Sequence, residues 1–233
     1  MKRIRCRRNV WICLHAMKAE TTCACAVFLI AETLVLNSKT DAIVLRLAPH
    51  NEKASILHLY TRSHGRMQFL VYGRHSRKKG RQALMEPLTL LHIEATLRDG
   101  QSMGQMKECS LAYVPGELMF DHNRRCVALF ISEILSRTLA HPQQDEVLFD
   151  FLADTIRELD TCADPQNLHI RFLVRYAELL GFAIDFDDPA NQCLTLLAGR
   201  RRELLHALMD YYTTHIPDFV MPNSLPVLEA VFA

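Results

Sequence analysis

The stretch GRHSRKKGRQ, residues 73–82, gathers five fixed cations between positions 74 and 81: Arg74, Arg77, Lys78, Lys79 and Arg81, with no acid among them. Like charges this close repel, and packing has no use for them. Such a run either stays in water as a solvated loop or meets an anion. A phosphate backbone answers adjacent cations well, because each neutralised phosphate releases condensed counterions and gives affinity without sequence choice. Arg46 and Arg66 either widen this basic surface or are ordinary strand cations. Arg200, Arg201 and Arg202 form a second cluster at the start of a helix, where cations oppose the helix dipole. That pattern points to DNA or an acidic peptide, or to a solvated helix end. Base-stacking platforms would come from Tyr60, Phe69, Tyr72 or His75, and for Phe69 a place in the barrel core is the better reading.

Other chemistry is poorly supplied. Asp185, Asp187 and Asp188 could hold Mg²⁺ for a nuclease. No second acidic motif and no suitably spaced Lys or His completes that site, so a polar loop is the simpler reading. There is no Walker A loop, no G-x-G-x-x-G, no H-E-x-x-H and no G-x-S-x-G. The 8 cysteines contain no C-x-x-C pair, and 4 of them, Cys6, Cys13, Cys23 and Cys25, crowd near the start. Neither a disulfide framework nor a zinc ribbon fits that spacing. The residues therefore describe a binding protein without catalytic residues, metal or cofactor.

The elements that must carry the cations read clearly. TDAIVLRLAPH is a strand from about Thr40, with Ile43, Leu45 and Leu47 on one face and Val44 and Arg46 on the other. SILHLYT and RMQFLVYG are the next two strands. The short RSHG link makes them a hairpin, with Gly65 free to take positive φ. The basic run has no apolar period and reads as an exposed loop. PLTLLHIEATL, from Pro87, and the weaker GQMKECSLAY complete five strands, which fits a small closed barrel of the OB type. After Pro115 the apolar period becomes helical. A first helix carries Val127, Phe130, Ile131, Ile134 and Leu135 and is capped by Asp121 or Asn123. A second carries Val147, Leu148, Phe151, Leu152, Thr155, Ile156 and Leu159. A third has Asp164 as cap, Pro165 at its first position and Gly181 past its end. A fourth starts in AGRRRELLHALMDYYTTHI, and a short fifth, SLPVLEAVF, is capped by Ser224. Residues 182–195 read as a loop, with or without a short strand in it.

The fold class is thus α+β in two domains: an N-terminal OB-type five-stranded β-barrel over 37–113, followed by an all-helical bundle over 114–233. Charge divides the same way. Residues 37–113 hold 12 Lys/Arg against 6 Asp/Glu, and residues 114–233 hold 9 against 18, although the whole chain is only +1. The basic half suits a polyanion and the acidic half suits protein partners. No stretch reaches 18 consecutive apolar residues, so no membrane span is expected. The first 36 residues loosely imitate a secretory signal, but the apolar patch WICL is too short, and His15 and Lys18 interrupt the residues after it.

The ordered set of these features resembles the RecO family of bacterial recombination mediators, in its Bacteroidetes-like, zinc-less branch. The resemblance rests on the A-I-V-L-R strand, the T-x-x-H-G hairpin, the strand ending in Gly before a basic loop, PLTLLHIEA, VALFISEILSRTLA, FLVRYAELLGF, and RRRELLHALMDYYTTHIPDF with SLPVLEAVF after it. It covers about residues 38–232. It implies a cytoplasmic, nucleoid-associated DNA repair and recombination protein that is not an enzyme. Such a protein binds single- and double-stranded DNA, anneals complementary strands, and works with RecR to load RecA on DNA coated by the single-strand-binding protein SSB. It would take the acidic, apolar-ended C-terminal tail of SSB on its helical domain. Some RecO proteins hold zinc through four cysteines there. This chain has only Cys162 and Cys193 after Cys126, so no such zinc is expected. Residues 1–36 have no family counterpart and are expected to be disordered or upstream of a true start near Val35 or Leu36. Leader peptides found in the native protein by mass spectrometry would refute that start. The alternative class is an OB-fold module that binds RNA or another protein through the basic loop.

Overall fold

Residues 35–72, 84–98, 103–139, 144–185 and 200–232 are described by a computed structural model of the chain. Five strands come first: β1 (Val35–Pro49), β2 (Ala54–Thr61), β3 (Gly65–Tyr72), β4 (Leu90–Arg98) and β5 (Met103–Leu111). They close into a barrel in the order β1-β2-β3-β5-β4. All pairings are antiparallel except β3 with β5, which pair in parallel over Gln68↔Met103 and Phe69↔Gly104. That circuit is the OB arrangement expected from the sequence. The described strand β1 reaches back to Val35, which pairs with Arg98, rather than starting near Thr40.

The β2–β3 hairpin turns through Arg62–His64, and Gly65 takes φ 64°. Thr61 holds the turn by donating its hydroxyl to the Gly65 carbonyl at 2.9 Å. β1 departs from simple alternation. Its register shifts between Val44 and Arg46, so Leu45 is an extra residue in a β-bulge. Ile43 and Leu45 therefore face the helices, whereas Leu47 joins Ala42 and Val44 against the barrel interior. The expected common face of Ile43, Leu45 and Leu47 is corrected by that one inserted residue. β4 starts at Leu90 rather than Pro87, because Leu88 adopts φ 60°. The Leu88 amide still donates to Val44 O at 2.8 Å, and Thr89 O accepts from the Val44 amide at 3.0 Å. The buried Leu88 side chain belongs to the core shared with the helices.

Five described helices come next: α1 (His122–Thr138), α2 (Glu146–Thr161), α3 (Leu168–Leu179), α4 (Arg201–His215) and α5 (Leu225–Val231). Asp121 caps α1 by accepting from the Asn123 amide, and Asp145 caps α2 by accepting from the Leu148 amide. The α1 stripe is buried as expected. On α2, Val147 is 67% exposed and Phe149 is buried instead. The buried face of α2 is rotated one residue later than the expected stripe, through Leu148, Phe149, Leu152 and Ala153, with Phe149 turned onto Tyr60 of β2. α3 starts at Leu168 because Asp164 closes a turn on the Gln166 amide (2.9 Å) and does not cap the helix. α3 ends in a Schellman motif: Gly181 has φ 89°, the Phe182 amide donates to Ala177 O and the Gly181 amide to Glu178 O.

The described residues form two apolar cores. Ala42, Val44, Leu57, Leu59, Met67, Phe69, Leu91, Ile93 and Ala95 fill the barrel. The second core runs from the outer faces of β1, β2 and the Leu88–Leu90 segment into α1–α5. Barrel and helices are thus joined by apolar packing, which removes more surface from water than any polar contact between them.

Candidate nucleic-acid interface

Arg46 is exposed on β1, opposite His58 of β2. Lys53 is exposed in the β1–β2 turn, where Asn51 orders the chain by accepting from the Lys53 and Ala54 amides at 3.0 and 2.7 Å. Arg74, Arg77, Lys78, Lys79 and Arg81, and His75 with them, lie outside the described residues. Their run comes directly after Tyr72, the last residue of β3, which is 65% exposed.

His58 lies in the same wall and is buried. Burial first, then the charges of Arg46 and Arg66, push its pKa down to about 4. It is a neutral imidazole at neutral pH, so two neighbouring arginines are not joined there by a third cation.

Arg66 has a different setting from Arg46. It is half-buried, and its Nη1 donates to Ser136 O at 3.2 Å and to Leu139 O, the last carbonyls of α1. A cation at a helix C-terminus satisfies orphan acceptors and complements the dipole. Burial and the Arg46 charge both lower its pKa from the ordinary value. Its guanidinium therefore works as an α1 cap, a use invisible in the local sequence.

The second cluster is also engaged. Arg200 pairs with Glu203 at 3.1 Å, Arg202 with Glu229 at 3.3 Å, and Arg201 donates to Gln166 Oε1 at 2.8 Å and to Phe232 O at 3.3 Å. Glu203 lies in the first turn of α4, so the dipole conflict expected from three cations is offset locally.

Of the candidate stacking aromatics, Tyr60 and Phe69 are buried. Phe69 is in the barrel core, as its pattern suggested. Tyr60 is not a platform. It stacks on Phe149 of α2 at 6.3 Å and donates its hydroxyl to Asp145 O at 3.3 Å. Arg62 covers the other side of that join, with its guanidinium 4.5 Å from the Phe149 ring centre and paired to Asp150.

Three polar residues escaped sequence reasoning. Asp160, buried on α2, accepts from the Tyr113 hydroxyl (2.6 Å), the Gly116 amide (3.0 Å) and the Leu118 amide (2.7 Å). It fixes the segment linking β5 to α1. Burial would raise its pKa, but these donors hold it below the usual value. Arg124 donates to Leu159 O and to Cys162 O, closing the C-terminus of α2. Glu133 of α1 accepts from the Asn223 and Ser224 amides, both at 2.8 Å, and from the Ser224 hydroxyl at 2.6 Å. Ser224 thus gives its hydroxyl to Glu133 and makes no cap bond of its own to α5. No signal in the sequence marks Asp160, whose partners lie 42 to 47 residues away, and although Glu133 has a local partner in Arg137, its anchors Asn223 and Ser224 lie 90 and 91 residues away.

An apolar cleft of about 670 Å³ opens between the Leu84–Leu90 segment, the β5–α1 connection and helices α1 and α5. Leu47, Met85, Met119, Leu129 and Val227 are among its lining residues, and His122 and Arg125 stand with them. Arg125 approaches Glu86 at 3.8 Å. Asp185 is described and exposed, whereas Asp187 and Asp188 lie outside the described residues, as does Cys193. Among the described residues no group of three His, Cys, Asp or Glu is placed to hold a metal, and no helix is long and apolar enough to cross a membrane.

A closed OB-type barrel sharing one core with a helical bundle, with Arg46 and Lys53 exposed on it, defines a two-domain α+β protein. Recombination protein O N terminal matches residues 35–114, and Recombination protein O C terminal matches residues 119–193. The chain belongs to the RecO family. It is 29% identical over 238 residues to the DNA repair protein RecO of Phocaeicola vulgatus, covering 84% of this chain and 99% of that protein. It is 28% identical over 235 residues to the DNA repair protein RecO of Flavobacterium psychrophilum, covering 84% and 99%. The protein of the same name from Bacteroides fragilis is 29% identical, covering 83% and 98%.

Proposed function

We infer that this chain is a non-enzymatic mediator of DNA repair and homologous recombination. It binds single- and double-stranded DNA, anneals complementary strands, and acts with RecR to help load RecA onto SSB-coated DNA in the cytoplasm, at the nucleoid. The observation that carries this reading is the division of the barrel wall. Among the described residues the helices cover one end of it, while Arg46 and Tyr72 towards the other are exposed, and the five-cation run follows Tyr72 in the chain. In this reading Arg74, Arg77, Lys78, Lys79 and Arg81 contact phosphates and Arg46 extends their surface. Arg66 contributes its charge from the α1 cap. Arg200 to Arg202, each already paired, are a weaker anion surface.

The cleft beside α1 and α5 supports the protein-partner half of the reading. Its apolar lining suits the apolar end of the SSB tail, and Arg125 suits the acidic residues before it. Membership of the RecO family supports both halves.

The test is annealing of two complementary, SSB-coated strands by wild type and by a variant with all five cations of 74–81 changed to alanine, across a salt series. Wild type should anneal. The variant should lose most of that activity, and its log–log salt slope for single-strand binding should be shallower by up to about 3.5, at roughly 0.7 per phosphate contact. Equal annealing by both proteins removes the run from the interface. No annealing by folded wild type removes the mediator reading.

A further inference from the structure

Helices α3 and α4 lie side by side and run in the same direction. Arg201, the first residue of α4, donates to Gln166 Oε1 just before α3 at 2.8 Å. At the other end His215 of α4 stacks on Phe182, past the end of α3, with ring centres 5.3 Å apart. The two N-termini therefore meet, and they gather first-turn amides and the positive ends of two dipoles in one place. No side-chain cap bond is made at Asn167 or at Arg200. α3 has no acid in its first turn, and the acid of α4, Glu203, is paired with Arg200.

Two side chains at this junction are left short of partners. Arg201 is half-buried, and both of its acceptors, Gln166 Oε1 and Phe232 O, are neutral. Its Nε is buried with no hydrogen bond among the described residues. A cation removed from water without a counter-charge is costly. His169, in the first turn of α3, is only 1% exposed, and neither ring nitrogen has a hydrogen-bond partner among the described residues. Its ring stacks on Phe232, with centres 6.0 Å apart, and the Phe232 carbonyl accepts from Arg201. Imidazole and guanidinium thus border the same spot. Burial first, then the Arg201 charge, push the His169 pKa down to about 4. It is neutral at neutral pH and keeps one N–H to donate.

We propose that the joined N-termini of α3 and α4 bind a single phosphate-type oxyanion, with Arg201 as its cation and a ring N–H of His169 as its buried donor. Such an anion has acceptor oxygens in several directions, which suits donors arriving from two helix ends, a guanidinium and an imidazole. It supplies the counter-charge that Arg201 lacks. Gln166, Asn167 and Arg200 beside it are exposed, so solvent reaches that side. Asp164 and Glu203 are exposed near the two helix starts, and their charges disfavour a long polyanion more than a small ion. The site goes beyond the DNA reading and does not depend on it.

The experiment is NMR of the full chain in phosphate-free buffer, following the arginine Nε–H and histidine ring signals during titration with inorganic phosphate. The Arg201 and His169 signals should shift saturably, and sodium chloride at equal ionic strength should not move them. Arg201→Gln should abolish phosphate binding. His169→Phe keeps an aromatic ring against Phe130 and Phe232 and should weaken binding about tenfold through loss of one donor to an anion. That variant carries the test if Arg201→Gln does not fold. Arg175→Gln, which removes an exposed α3 cation paired with Glu178, should stay within about twofold of wild type. The proposal is overturned if phosphate gives no saturable shift, if chloride gives the same shift, or if His169→Phe binds as wild type does. Oligothymidylate separates the sources of phosphate. Shifts at lower concentration than with inorganic phosphate would assign the site to a nucleic-acid backbone and overturn the single-anion proposal, whereas weaker shifts support it.

Discussion

The wall made by β1, β2 and β3 is one sheet with two different ends. At one end Ile43, Leu45, Tyr60 and Arg66 face outward and the helices close over them. At the other, Arg46 and Tyr72 face outward and are exposed. The strands, the twist and the alternation are common to both. What differs is the outward side chain, and one inserted residue at the β1 bulge decides where the change occurs. The covered end converts apolar area into stability. The other end leaves Arg46 and Tyr72 exposed among the described residues. A small barrel can do both only because alternation separates its inner core from its outer face.

The largest expected effect tests the covered end. Phe149 of α2 is buried against Tyr60, with the Arg62 guanidinium over its ring. Phe149→Ala should cost about 3–5 kcal/mol, read as a lower urea midpoint for the whole of residues 35–232. If the barrel alone stays at its original midpoint while the helices unfold early, the shared core does not join the two domains.

Acid sharpens the same contrast within the helices. Burial would raise the Glu133 pKa, but donation from Arg137, Ser224 and Asn223 holds it down at about 2. A carboxylate whose folded pKa is depressed stabilises fully above its unfolded pKa of about 4.5. That contribution is lost as pH falls from there towards about 2. Glu133→Gln should therefore be less stable than wild type at pH 7, and the gap should narrow on acidification through that window. Denaturation at several pH values checks it, and a constant gap would mean that Glu133 is not the anchor of α5.

The smallest effect compares two arginines on neighbouring strands. Arg66→Ala removes a donor to two helix-end carbonyls and should cost about 1–2 kcal/mol of stability. Arg46→Ala should change stability by less than about 0.5 kcal/mol. On single-stranded DNA the order reverses: loss of Arg46 should make the log–log salt slope shallower by about 0.7, more than loss of Arg66 does. Thermal midpoints and salt titrations on the two variants give four numbers. A shared pattern in both assays would erase the distinction between the covered and open ends.

Much of the architecture was legible because it is written locally. Alternation gave the strands, Asp121 marked a helix start, and Gly65 and Gly181 marked reversals that need positive φ. The shifts were local conflicts that alternation cannot register. The extra Leu45 turned Leu47 inward, Leu88 at φ 60° delayed β4, and the Asp164 turn delayed α3. The candidate interface was legible as a charge run, but the distinction between Arg46 and Arg66 was not, since both read as outward strand cations.

The sequence by itself determined the order of elements, the closed barrel followed by helices, and the basic and acidic halves. Those come from period, caps and composition, which neighbouring residues express without reference to distant ones. Only the tertiary structure decided which outward residues are covered. Arg66 meets Leu139 across 73 positions, Tyr60 meets Asp145 across 85, and Glu133 meets Ser224 across 91. A side chain's type states what it can bond. Which partner removes it from water depends on a chain path that no local pattern contains.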